Sequence, residues 1–129
     1  MKKILLVEDN DMMRLFLSNY FGSEYSVEAL SDSSLAGAWL SKNNADLILA
    51  DFPDDKNGSS IHRLSHIAAQ RGIPLVILTD KDKSEQRIQA FQWGAKDSIS
   101  KPFNPVELKW RVSCHLPAFS QVGTFSSVA

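Results

Sequence analysis

The chain has 129 residues and a formal net charge of −1, and 43% of its residues are hydrophobic. This size and composition are typical of one globular domain, and the near-neutral charge does not favour a nucleic-acid-binding surface. A lone cysteine, Cys114, excludes an internal disulfide bond and a thiolate zinc site. No apolar run approaches the roughly 20 residues that span a bilayer, and the amino terminus does not resemble a signal peptide. We therefore expect no membrane segment and a cytoplasmic location.

Short apolar runs alternate with amphipathic segments along the chain. The runs predict strands at 4–7, 25–30, 46–50, 73–78 and 98–100. Apolar residues at helical spacing predict a helix after each strand. Asp82, with Glu85 three residues on, predicts a capping box at the start of the fourth helix, and Asn104-Pro105 predicts the start of the fifth. The alternation favours a parallel sheet with helices on both faces.

Beyond the last helix the periodicity is lost. We expect a single domain over 1–117, and the segment 118–129 is predicted to be a flexible tail or the start of a linker to an output domain. Trp93 and Trp110 fall on predicted outer faces of the last two helices. Exposed tryptophans are enriched at protein interfaces, and simple packing at the edge of the core is the alternative.

Polar side chains come directly after four of the five strands. Glu8 and Asp9 follow the first, Asp51 the third, Thr79 the fourth and Lys101 the fifth. Because the carboxyl ends of parallel strands meet at one edge of a sheet, we expect these groups to share a cleft. Taken singly, each has a simpler interpretation as a cap, a loop residue or a solvated charge. Taken together, they suit the binding of a divalent cation and the transfer of a phosphoryl group to a carboxylate.

Four motifs in order carry a family resemblance. Residues 4–10 read ILLVEDN, 46–51 read DLILAD, 75–79 read LVILT, and 94–103 read GAKDSISKPF. With this spacing, the chain resembles the receiver domain of two-component response regulators over residues 2–116. The resemblance implies a flavodoxin-like (βα)5 sandwich with strand order 2-1-3-4-5, which agrees with the parallel sheet predicted from the alternation.

The resemblance also implies a metal site. Asp9, Asp51 and the backbone carbonyl of Pro53 would bind Mg²⁺ or Mn²⁺ directly, and Glu8 would act mostly through water. Clustered carboxylates raise one another's pKa unless a cation lies among them, so the ion has a physical reason to be there.

The same resemblance assigns the chemistry. Asp51 would be the phosphoryl acceptor, while the Thr79 hydroxyl and the Lys101 ammonium would contact phosphoryl oxygens. The peptide bond between Lys101 and Pro102 would be cis. The domain would be a signalling phosphoacceptor rather than an enzyme. Its donor would be a sensor histidine kinase or a histidine phosphotransfer protein. An effector domain or partner protein would contact the face made by the fourth helix, fifth strand and fifth helix.

The chain departs from the family pattern at several positions. The family loop after the acceptor usually has proline four residues on and glycine eight on, whereas here Pro53 is two on and Gly58 seven on, which predicts a loop one residue short. Asp80 follows Thr79 where a small residue is usual, which predicts a fourth carboxylate beside the site that would hinder access or repel phosphate. Ser98 stands where an aromatic switch residue is common, which predicts weak coupling between Thr79 and the outer face.

Two alternative functions remain at this point. A degenerate receiver would keep the fold and act as an interaction module independent of phosphorylation. A phosphatase of the haloacid dehalogenase type would also form an aspartyl phosphate, but that family needs an acid where Pro53 stands.

Overall fold

A computed structural model describes residues 1–53 and 59–116 of the chain. Five strands alternate with five helices. In chain order these are β1 (Lys3–Val7), α1 (Asp11–Gly22), β2 (Ser26–Leu30), α2 (Ser33–Leu40), β3 (Leu47–Asp51), α3 (Ser59–Arg71), β4 (Leu75–Asp80), α4 (Ser84–Gln92), β5 (Asp97–Lys101) and α5 (Pro105–His115). The strands form one parallel sheet in the order β2-β1-β3-β4-β5. The predicted flavodoxin-like fold is therefore confirmed.

The apolar runs form strands because both faces of the sheet are covered by helices. Alternate side chains of β1, β3 and β4 enter two separate hydrophobic cores, one on each face. Leu5 and Ile48 pair in register and lie in the first core, while Leu6 and Leu49 pair in register and lie in the second. Each fully buried side chain of this size contributes about 1.5–3 kcal/mol relative to an exposed one. This double burial holds the central strands, and with them the sheet edge, in place.

Local signals start and end the helices. Asn104 accepts hydrogen bonds from the backbone N–H groups of Val106 and Glu107, and Pro105 is the first helical residue of α5, as the sequence predicts. Gly72 and Gly94 follow α3 and α4 with φ values of 67° and 97°. Glycine reaches this left-handed region without a steric penalty, so both helices can stop there.

The predicted capping box at Asp82 is wrong. Helix α4 begins at Ser84, and its N-cap residue Lys83 makes no side-chain capping bond. Asp82 has a φ of 61°, which is left-handed, whereas an N-cap residue needs an extended backbone. The first turn of α4 is held instead by Gln86, whose side chain reaches back to Asp80.

Strand boundaries also move relative to the prediction. Asp51, Thr79 and Lys101 lie within the last residues of β3, β4 and β5 rather than after them. Polar residues extend each strand because their backbone groups still pair across the sheet. The expectations for Gly58 and for a tail over 118–129 lie outside the described residues. No helix in the described part of the chain is long and apolar enough to cross a membrane.

Candidate functional site

The site lies at the edge of the sheet where the strands end. Asp51, the last residue of β3, pairs with Leu78 of β4, and Thr79 pairs with Ser100 of β5. One residue further along, Asp80 pairs with Lys101. The parallel register therefore brings the polar ends of three neighbouring strands together, and β1 adds the two acids that follow it.

An acidic cluster forms the centre of this edge. Carboxylate oxygens of Glu8, Asp9 and Asp51 lie within 4.8 Å of one another. Glu8 is fully buried, Asp51 is half-buried and Asp9 is exposed. Hard oxygen ligands that reach from the interior to the surface fit a magnesium-sized cation, which keeps part of its water shell. The donor set thus fits the metal that the sequence predicts.

Lys101 lies between two of these acids. Its Nζ atom is 2.9 Å from Oδ1 of Asp51 and 3.1 Å from Oε1 of Glu8. The second carboxylate oxygen of Glu8 accepts a hydrogen bond from the N–H of Asn10 at 3.1 Å. The peptide bond between Lys101 and Pro102 is cis. The ammonium neutralises part of the cluster, and Glu8 is engaged directly by the Lys101 side chain.

The electrostatics of the cluster shift two pKa values. Burial raises the pKa of Asp51 from 3.8 to about 7; the negative charges of Glu8 and Asp9 add to this, and Lys101 opposes it. Burial works against the charged form of Lys101, but its hydrogen bonds to Asp51 and Glu8 outweigh that effect and raise its pKa. The Asp51 carboxylate is therefore held in an environment that disfavours its charge unless a further cation arrives.

Thr79 carries the one buried side-chain polar atom in the described residues that has no hydrogen-bond partner. The residue is fully buried at the end of β4. A buried hydroxyl without a partner costs about 1–3 kcal/mol, so it is usually retained for a ligand or another functional reason. Its presence beside the acidic cluster fits a site that also binds an oxyanion.

The two remaining predicted site residues, Pro53 and Ser98, are both half-buried. Pro53 lines, with Asp9 and Asp51, a cavity of about 400 Å³ beside the cluster. Ser98 lies in β5 and pairs with Ile77 of β4. It comes two residues before Ser100, which pairs with Thr79.

Asp80 does not belong to the acidic cluster of the described residues. It is exposed, and its N–H donates to Oε1 of Gln86 at 2.7 Å. The Gln86 amide in turn donates to the Asp80 carboxylate at 3.3 Å. The expected fourth carboxylate is therefore bound to α4, away from the three acids.

One aromatic contact was missed from the sequence. The rings of Phe52 and Trp93 are stacked, with centroids 5.3 Å apart and planes 29° apart. Trp93 is half-buried and packs against the first core, which agrees with boundary packing rather than with an exposed partner contact; Trp110, by contrast, is 67% exposed. The only sequence signal was an aromatic residue directly after Asp51, which does not by itself identify a partner on another element.

The comparisons with known proteins identify the family of the chain. The family model of the response regulator receiver domain matches residues 4–113. The chain is 33% identical over 127 residues to the transcriptional regulatory protein ResD of Bacillus subtilis, covering 97% of this chain and 52% of that protein. It is 34% identical over 125 residues to the aerobic respiration control protein ArcA of Escherichia coli, covering 95% and 52%.

A solved structure gives the same result. The chemotaxis response regulator CheY4 of Vibrio cholerae superposes with a TM-score of 0.77 at 26% identity, covering 90% of this chain and 99% of that one. The chain belongs to the response regulator receiver domain family. It is a receiver domain of two-component signal transduction, and it spans about half the length of the curated relatives described above.

Proposed function

We propose that Asp51 accepts a phosphoryl group in a Mg²⁺-dependent step and that this modification is the signal of the domain. The observation that carries the proposal is the cluster of Glu8, Asp9 and Asp51 within 4.8 Å, with the Lys101 ammonium already inside it. Asp51 is the member of this cluster that ends a central strand and contacts Lys101, and so it is the nucleophile.

Asp9, Asp51 and the Pro53 carbonyl would hold the metal. When bound, Mg²⁺ (or Mn²⁺) would offset the negative charge of the acids and of the incoming phosphoryl oxygens. Glu8 would support the site through water, while its other oxygen keeps Lys101 in place at 3.1 Å. An added cation would also favour the ionised form of Asp51, whose pKa is raised to about 7 without one.

The transfer itself uses the chain's own groups. A carboxylate oxygen of Asp51 forms a bond to phosphorus while the bond from phosphorus to the donor nitrogen breaks, and the departing imidazole takes up a proton. Lys101 exchanges its 2.9 Å contact with Asp51 for a phosphoryl oxygen. The Thr79 hydroxyl, which lacks a hydrogen-bond partner, donates a hydrogen bond to a second phosphoryl oxygen. Both contacts stabilise charge that is greatest during transfer.

We propose a sensor histidine kinase or a histidine phosphotransfer protein as the donor, and the cytoplasm as the location. An effector domain or partner protein would be regulated through the face formed by α4, β5 and α5. This face carries exposed Ile88, Phe91, Val106 and Trp110, which suit a protein partner better than a nucleic acid.

A phosphodonor assay tests the function. The chain is incubated with a small acyl phosphate, with magnesium or with chelator, and its intact mass is measured. We expect a gain of one phosphoryl group in the wild type with magnesium only, no gain in Asp51→Asn, and a normal gain in the control Asp80→Asn. A gain in Asp51→Asn would contradict the acceptor assignment. No gain in the wild type would favour the degenerate receiver, which the small residue Ser98 also favours.

A further inference from the structure

The stacked pair of Phe52 and Trp93 joins the acceptor position to α4. Phe52 follows Asp51 directly, and its N–H donates to the carbonyl of Leu78 at 2.8 Å, so its backbone is fixed to β4. Phe52 lines the cavity that Asp51 also lines, and its ring packs against Trp93 with a centroid separation of 5.3 Å. A modification of Asp51 therefore takes place directly beside an aromatic residue of the chain.

Trp93 is fixed to the end of α4. It is the C-cap residue of the helix, and its N–H donates to the carbonyl of Gln89 at 3.0 Å. Gly94 then turns the chain away with a φ of 97°. A displacement of the Trp93 ring is thus passed to the last turn of α4 without an intervening flexible segment.

Helix α4 is weakly anchored along its length. Ala90 is its only fully buried residue, and Ile88 and Phe91 are exposed. The position of α4 therefore depends largely on contacts at its two ends. Gln86 forms hydrogen bonds with Asp80 at the start, and the Trp93 ring stacks on Phe52 at the end. Elements with few buried contacts are those that move at low energetic cost.

We propose that the Phe52–Trp93 stack transmits the phosphorylation state of Asp51 to α4. The stack would take the role of the aromatic switch residue that is common at the position where this chain has Ser98. The proposal rests on the proposed function, because it requires a phosphoryl group at Asp51. Aromatic pairs have distinct stacked and edge-to-face arrangements, which supply the two packing states that a switch needs. The exposed side chains of α4 then present a different surface to a partner in each state, and the coupling is reciprocal.

The test uses amide chemical shifts of the full chain with and without magnesium and beryllofluoride, a non-covalent phosphoryl mimic. In the wild type we expect shifts at the site, near 51 and 79, and also along 85–93. In Phe52→Leu we expect the site shifts to persist and the α4 shifts to fall to the level measured for 112–116. Trp93→Leu removes the same stack from the other side and serves if Phe52→Leu does not fold.

Fluorescence gives an independent readout with a matched control. Trp93→Phe and Trp110→Phe each remove one tryptophan, the first from the stack and the second from the exposed surface of α5. We expect the change on adding the mimic to persist in Trp110→Phe and to be lost in Trp93→Phe.

The outcomes separate the two proposals. If the wild type shows no shifts at all, both the proposed function and the relay are overturned. If the site shifts occur but the α4 shifts are absent, or remain undiminished in the stack variants, the relay alone is overturned. A fluorescence change that follows Trp110 instead of Trp93 would likewise count against the relay.

Discussion

Replacement of Asp51 by asparagine is expected to stabilise the metal-free protein, and to do so more as the pH rises. The folded protein raises the pKa of this carboxyl from 3.8 to about 7, so between these values the folded state holds a proton that the unfolded state has lost. Stability of the wild type then falls as the pH increases through this window. Asparagine does not titrate, so the stability of the variant does not fall with pH in this way. Lys101 still keeps its 3.1 Å contact with Glu8 in the variant.

The size of the effect follows from the shift. A change of about 3 units at 1.36 kcal/mol each sets a ceiling of about 4 kcal/mol above neutral pH. The Asp51 side chain is 21% exposed, and water and structural relaxation reduce the effective cost. We therefore expect Asp51→Asn to be about 1–3 kcal/mol more stable than the wild type near pH 8, and close to it near pH 4.

Urea unfolding with chelator present measures this difference. With a slope of about 1–3 kcal/mol per molar urea, the midpoint should rise by roughly 1 M near pH 8. Asp11→Asn is a matched control, since that carboxylate on α1 is 87% exposed, and a change within about 0.5 kcal/mol is expected there. A midpoint difference that does not vary with pH, or a variant less stable than the wild type near pH 8, would refute the reasoning.

Three further variants test separate parts of the site. Asp9→Asn removes an exposed member of the acidic cluster and should weaken Mg²⁺ binding at least tenfold, about 1.4 kcal/mol, by calorimetry; unchanged affinity would count against this ligand. Thr79→Val removes the hydroxyl that lacks a partner, so it should leave stability unchanged or raise it by about 1 kcal/mol while slowing phosphoryl uptake. A large loss of stability would show that the hydroxyl has a structural partner. Lys101→Met leaves buried Glu8 without its cation and should destabilise the protein by about 2 kcal/mol or more in urea; an unchanged midpoint would contradict the pairing.

The parallel sheet covered by helices could be predicted from the sequence pattern because the apolar runs are short, buried on both sides and separated by amphipathic segments; the strand order came from the family resemblance. The grouping of Asp51, Thr79 and Lys101 could be predicted for the same reason, since parallel strands place their carboxyl ends at one edge. The layered sheet and the grouping at its edge need only the period of the pattern and the direction of the strands, whereas the strand order and the role of each residue needed the resemblance.

Contacts between side chains on different elements could not be predicted in this way. The stack of Phe52 on Trp93 depends on where α4 ends relative to β3, and the sequence pattern does not give that distance. The capping prediction failed because Asp82 adopts a left-handed backbone conformation in the connection between β4 and α4. The contact of Asp80 with Gln86 has the same origin, because this connection brings the two residues together.

The most direct test of the account is to locate the modified residue chemically. After treatment with the acyl phosphate and magnesium, borohydride reduction converts an aspartyl phosphate to homoserine, and peptide mass spectrometry identifies its position. The account predicts homoserine at position 51 in the wild type and at no position in Asp51→Asn. Homoserine at position 9 or 80, or at any position in Asp51→Asn, would contradict the assignment of Asp51 as the phosphoryl acceptor.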